Sequence, residues 1–320
     1  MYRSALTMVL ALTFCDSGAA SPYASPVPLP RPVPFAPGVV STGLSDGPPT
    51  FSPDGRTLYF LRNSPDGRWW TIVASHYRDG RWNAAEVAPF SGRYNDADPT
   101  FSRDGRTLWL ASNRPVDGRA HADTDIFVAH RDGDGWGEFR RVDAVSSPAD
   151  EYFPIVVDSG AMYFASERDG GQGGTDVWRA PRAGDGFGPP ENLAALNTPG
   201  NEIEAFAAPD ESWLILASDG RADTLGKYDL YVSWRCDGAW TEPRHLGDGI
   251  NSDAKDYAPK LSPDGRYLFF TSNRSTFGEP KGRRLTTAEL DRRLNAPGNG
   301  LNDVYQVDVA ALKLVSPCGR

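Results

Sequence analysis

Along this chain the apolar residues come in short runs, rich in β-branched and aromatic side chains, each set off by a turn. Residues 57–61, 107–111 and 267–271 are such runs. They follow the Asp-Gly pairs Asp54 and Gly55, Asp104 and Gly105, and Asp264 and Gly265. Short apolar runs divided by Asp-Gly turns are hairpin signals. The pattern also repeats at long range. The tetrad at residues 49–52 returns at 99–102 and, in weaker form, at Pro154, Ala205 and Pro259, giving intervals of 50, 55, 51 and 54 residues.

Each copy follows the same order. A tight turn comes first, made in the third and fourth copies by Ser159 and Gly160 and by Asp210 and Glu211. A second apolar run follows, then a third that opens in four copies at Asp125, Asp176, Asp229 and Asp303. A further turn leads to Trp82, Trp136, Phe187 or Trp240. Four strands per copy, stacked copy on copy, predict the blades of a propeller. The fold class is therefore all-β: a five-bladed β-propeller of four-stranded antiparallel blades, with no sixth copy in the sequence.

An apolar residue and two small residues precede each copy, at 90–92, 145–147, 196–198 and 250–252, and residues 40–42 hold the same place before the first. The fifth copy runs out of chain after its third strand near Asp308. The segment 39–42 is thus expected to be an N-terminal strand that closes the ring and removes its open edges. The fifth copy is interrupted between Arg274 and Asp303, where residues 286–294 predict a short helical insertion capped by Thr286 or Thr287. Its cations, Lys281, Arg283, Arg284, Arg292 and Arg293, suggest a lid folded over an acidic face; a solvated decoration is the other reading.

Residues 1–20 read as a signal peptide, with Arg3, an apolar core from Ala5 to Phe14 and small residues up to Ala20. Acylation at Cys15 is a rival reading that the bulky Phe14 disfavours. Residues 21–37 hold seven prolines and read as a solvated leader. The propeller then spans 38–312, with a C-terminal tail at 313–320. Lysine and arginine number 33 against 42 acids, a net charge of −9 that argues against nucleic acid. Cys236 and Cys318 remain after signal removal, and the turns that hold them belong to neighbouring blades, so they are candidates for one disulfide. No later stretch is apolar enough to span a membrane, and the chain reads as a periplasmic or secreted monomer.

The Ser-Pro-Asp-Gly-Arg turns, with the following Leu-Tyr-Phe and Ser-Asn-Arg, sit in residues 52–61, 102–114 and 262–274. In these the chain resembles the WD40-like repeat of TolB-type propellers, over residues 38–312. The resemblance implies the fold and a bacterial envelope or secreted setting. It does not fix an activity, because the repeat serves binding proteins and domains fused to enzymes alike. TolB itself is a periplasmic protein-binding module with six blades and an extra N-terminal domain, both missing here, so its partners do not carry over.

Aligned on the repeat, the third residue upstream is acidic in every copy: Asp46, Asp96, Glu151, Glu202 and Asp256. These five are expected to ring one face near the channel mouth. They either hold their own blade connections through backbone N–H groups or arginines, or form a funnel for a cation, an amine or a sugar. Asp98 and Glu204 add a second acid in two copies only. A residue serving the scaffold recurs, whereas one serving a ligand need not, so these two are the better binding candidates. Arg114, Arg168, Arg221 and Arg274 follow the second strand in the four copies that carry Asp125, Asp176, Asp229 and Asp303. Copy one lacks both, which predicts Arg–Asp pairs pinning the loop between strands two and three.

Trp69, Trp70 and Tyr257 fall outside the repeat and are possible sugar-stacking rings, with packing as the commoner use of such residues. The sequence holds no nucleophile elbow, phosphate loop or dinucleotide glycine pattern. Its four histidines, His76, His121, His130 and His245, have no metal-ligand spacing, so no metal and no cofactor is expected. The leading functional reading is a binding or scaffold protein for an envelope protein, peptide or glycan. The rival is a carbohydrate-active enzyme using carboxylates from different blades, with Asp98, Glu151, Glu202 and Glu204 as first candidates.

Overall fold

A computed structural model describes residues 21–119, 122–278 and 282–318. Residues 1–20, where a signal peptide and Cys15 were read, and the individual positions His121 and Lys281, lie outside the described residues. The chain folds into five antiparallel blades. Their innermost strands are Ser45–Phe51, Asp96–Phe101, Glu151–Val156, Glu202–Ala207 and Asp256–Leu261. The second strands, such as Thr57–Asn63 and Tyr267–Ser272, carry the apolar runs, whose apolar side chains are buried. Every outermost strand is only two residues long, as in Glu86–Val87 and Arg140–Arg141. Packing lies between blades, where Leu58, Phe60, Leu108, Phe164, Leu216 and Phe270 are fully enclosed.

The Asp-Gly turns hold their shape by a recurrent side-chain bond: Ser52 Oγ donates to Asp54 at 2.6 Å, Ser102 to Asp104 and Ser262 to Asp264 likewise. The next residue takes a positive φ, near 70° at Gly55, Gly105 and Gly265, where glycine has no Cβ to clash. In blade four that place is filled by Glu211, at φ 58°.

Closure differs from the sequence expectation. The outer strand of blade five is Val33–Pro34, pairing Val33 with Gln306 and Pro34 with Tyr305 of Asp303–Asp308. Residues 39–42 are the turn that follows it. In the other blades, too, the apolar-small-small triplet lies just after the outer strand, as Val145 follows Arg140–Arg141 and Leu196 follows Glu191–Asn192. The triplet marks the turn, so the strand had to be sought several residues upstream.

That shift also corrects the leader. Tyr23, Leu29 and Phe35 are buried, with Tyr23 set edge-on to Phe51 at 5.2 Å and Phe35 to Phe269 at 5.1 Å. Gln306 Nε2 donates to the Tyr23 carbonyl at 2.7 Å, and the Leu29 N–H to Asp308 at 2.8 Å. Prolines lack the N–H that a sheet edge would need to satisfy, so a Pro-rich segment can lie along that edge while its aromatics fill the gap between first and last blades. Residues 21–37 belong to the folded unit.

The insertion forms the helix Thr287–Leu294, capped by Thr286 and Glu289 in a reciprocal box. At the far end of the chain Cys236 and Cys318 form a disulfide, their Cα atoms 5.3 Å apart, which ties the tail to blade four. No helix of the described residues is long and apolar enough to cross a membrane.

Candidate functional site

The five repeat-invariant acids are all fully buried. Each is consumed by its own connection. Asp46 accepts from the Thr42 N–H and hydroxyl and from Arg62 Nε at 2.7 Å. Asp96 accepts from Ser91, Ser112 and Arg114; Glu151 from Ser147, Ser166 and Arg168. Glu202 takes Thr198 and Ser218, and Asp256 takes Ser252 and Arg274. These carboxylates stitch each blade to the turn before it, and none of the five lines the channel cavity.

The arginines have partners other than those predicted. Arg114, Arg168 and Arg274 pair with the ring acids Asp96, Glu151 and Asp256, at 2.7, 3.0 and 2.6 Å. Each also donates to the carbonyl of the triplet's apolar residue, Phe90, Val145 or Ile250. Arg221 donates to the matching Leu196 carbonyl at 2.5 Å. The third-strand aspartates look outward instead. Asp125 meets Arg141, Asp176 meets Asn192 and Asp229 meets His245, all on outermost strands, while Asp303 accepts from the Gly298 N–H. The arginine and the aspartate occur together in four blades but serve separate contacts, so their joint recurrence looks like one pair in the sequence. In blade one, Arg62 reaches Asp46 from two residues earlier in the chain.

The lid expectation is likewise corrected. Arg283 is exposed and pairs with Glu289 of its own insertion at 2.6 Å, and Arg293 lies over Phe277. The five ring carboxylates are buried and held by their own blades, so they are not partners of the insertion's cations.

What the blades bring together is a different set. Each innermost strand breaks its register at a bulge two residues in, between positions 47 and 49, 97 and 100, 152 and 155, 203 and 206, and 257 and 260. The bulged residues Asp98, Phe153, Glu204 and Ala258 have φ between 52° and 56°. Non-glycine residues persist there only where surrounding structure enforces it. Asp98 Oδ2 accepts from the Phe153 N–H of the next blade at 3.1 Å, and Glu204 is held in the same way by the Ala258 N–H.

Around these two acids lies a cavity of about 420 Å³ at the ring-face mouth of the channel. Its walls include Trp70, Tyr152, Tyr228, Tyr257 and Lys255. Lys255 Nζ sits 4.0 Å from the Tyr257 ring centre and 4.9 Å from that of Tyr228. Deeper in the channel, Lys260 Nζ donates to Thr100 Oγ1 at 2.5 Å and lies 4.2 Å from the Phe153 ring centre. Burial disfavours every charge here. It lifts Asp98 to about 6 against the pull of Lys260, and Glu204 to about 8 with help from the Asp98 charge. The same burial lowers Lys260 to about 7. Glu204 Oε2 has no hydrogen-bond partner among the described residues. Two carboxyl groups and the Lys255 amine thus face a small aromatic chamber, with the Lys260 amine buried further along the channel.

Sequence reasoning picked out Asp98 and Glu204 for breaking the repeat, and both line the cavity. It placed them before the strand, whereas they lie inside it at the bulge. Trp70 and Tyr257 also line the cavity; Trp69 is exposed on the surface. Lys255 and Lys260 were missed. The signal was available: of five lysines, against 28 arginines, one immediately precedes and one lies within the same innermost strand.

No protein-family model and no curated protein matches this chain. Solved structures do. A thermostable family-43 glycoside hydrolase aligns with a TM-score of 0.50 at 10% identity, over 93% of this chain and 99% of that one. An endo-arabinase from Bacteroides thetaiotaomicron aligns with a TM-score of 0.50 at 12% identity, over 88% and 99%. A TolB-type protein from Agrobacterium tumefaciens gives 0.48 at 17% identity, over 83% and 90%. What is shared is the fold.

Proposed function

We propose that this chain is an exported, non-catalytic binding propeller of the bacterial envelope, and that its ring-face mouth holds a sugar unit of a glycan. One observation carries the reading: four aromatic rings, from Trp70, Tyr152, Tyr228 and Tyr257, share a cavity of about 420 Å³ with Asp98, Glu204 and Lys255. Rings offer faces to the apolar side of a sugar, and carboxyl groups bind its hydroxyls. A cavity of this size suits one or two such units rather than a folded protein. The export signal read in residues 1–20 and the TolB-like repeat support an envelope setting.

A second reading, glycoside hydrolysis, is favoured by one feature. Asp98 and Glu204 are two carboxyl groups with different affinities for a proton, about 6 and about 8, as an acid and base pair needs. Titration calorimetry of the secreted protein against a panel of plant and envelope glycans separates the two. Saturable binding that Trp70→Ala weakens about fivefold supports the binding site, since one stacked ring is worth about 1 kcal/mol. Release of reducing sugar that Glu204→Gln abolishes would replace it with the enzyme. Neither heat nor sugar release with any glycan would remove both.

A further inference from the structure

The other mouth of the channel opens on the Asp-Gly turn face, into a separate cavity of about 340 Å³. It is lined by the outward halves of the innermost strands, with Thr50, Thr100, Ile155, Phe206 and Lys260 at equivalent positions. Four of the five positions thus carry neutral side chains, and the scaffold asks for no cation there. Lys260 is 5% exposed and makes no carboxylate pair within 4.0 Å among the described residues. Its Nζ is held by one neutral acceptor, Thr100 Oγ1, against the face of Phe153. An amine stripped of water in an apolar pocket and left without a direct counter-ion loses its proton readily, and a free amine is a nucleophile. Burial lowers its proton affinity to about 7, against the pull of the Asp98 and Glu204 charges further along the channel, which favour the protonated amine.

The geometry points to Lys260 as a carbonyl-reactive amine that captures small apolar aldehydes as an imine at the turn-face mouth. In that step the Nζ lone pair attacks the carbonyl carbon and the C=O pair moves to oxygen. Both amine protons end on that oxygen, which leaves as water, and the C=N bond remains. No oxidant or further reactant enters. Ile155 and Phe206 give the ring of an aromatic aldehyde an apolar wall, and Thr100 Oγ1 can hold the carbinolamine hydroxyl near Nζ.

The chain has only five lysines, Lys227, Lys255, Lys260, Lys281 and Lys313, so the test reads cleanly. The secreted protein is treated with benzaldehyde and cyanoborohydride at pH 7, and each lysine is followed by peptide mass mapping. Lys260 should gain a benzyl group at least about tenfold faster than the exposed Lys227 and Lys313, because its free-amine fraction at pH 7 is far larger. Its rate should rise with pH to a plateau just above 7, where the surface lysines still climb. Lys260→Arg should remove the fast adduct, and Lys260→Met, which fills the site without charge, should do the same if the arginine variant fails to fold. Labelling of Lys227 and Lys313 at equal or greater rate, or fast labelling of Lys255 in its place, would overturn the proposal. The glycan cavity lies at the opposite mouth, so failure here leaves that reading standing.

Discussion

At the scale of single residues, Glu211 shows how one position can be rebuilt. The four other blades turn here on glycine, and Glu211 adopts the same left-handed backbone at some strain. Its carboxylate accepts from Ser159 Oγ at 2.7 Å, Tyr163 Oη at 2.6 Å and Arg179 Nε at 2.8 Å, and Arg235 lies 3.5 Å away. These bonds outweigh its burial and hold it down at about 2. Glu211→Gln should therefore cost about 1–3 kcal/mol at pH 7, the range for leaving buried donors short of an acceptor. The folded state binds this proton less readily than the unfolded chain, so the stabilisation is full above about 4.5 and fades as pH falls through about 2. Urea unfolding at pH 7 and pH 3 should show the gap between wild type and variant narrowing on the acid side. An equal gap at both would assign the effect to packing alone.

At the scale of elements, the repeating unit is a clamp as well as a sheet. Arg274 joins the Ile250 carbonyl to Asp256 while its guanidinium covers the Tyr305 ring at 4.7 Å. One side chain thus fixes a turn, an innermost strand and a third strand. Arg274→Ala leaves the fully buried Asp256 without its cation and should cost about 3 kcal/mol. Arg283→Ala breaks an exposed pair on the insertion and should leave the unfolding midpoint unchanged. Thermal unfolding of the two side by side checks the ranking, and similar losses would put the insertion into the fold's cooperative unit.

At the scale of the whole molecule, both ends of the chain secure the ring. The N-terminal segment adds the last strand and three buried apolar side chains, Tyr23, Leu29 and Phe35, while the C-terminal tail is held by Cys236–Cys318. Removing residues 21–37 should cost at least about 4 kcal/mol from those side chains alone and bare the edge of Asp303–Asp308. A lower midpoint together with association on size exclusion is the expected result. A monomer with an unchanged midpoint would show that the ring closes without this strand.

The sequence by itself determined the number of blades, their four-stranded order, the acidic position at every blade junction and the cysteine pair. All of these follow from local chemistry repeated at a fixed spacing: strand propensity, Asp-Gly turns and one carboxylate per connection. Asp98 and Glu204 were legible as exceptions to that repetition. Only the tertiary structure decided which arginine meets which acid, because residues far apart within a blade become neighbours through strand register. It alone placed the closing strand at Val33–Pro34, since two residues without a ladder of their own carry no pattern. And it alone turned Asp98 and Glu204 toward one channel, because a bulge re-aims each side chain by backbone rotation that no residue type announces.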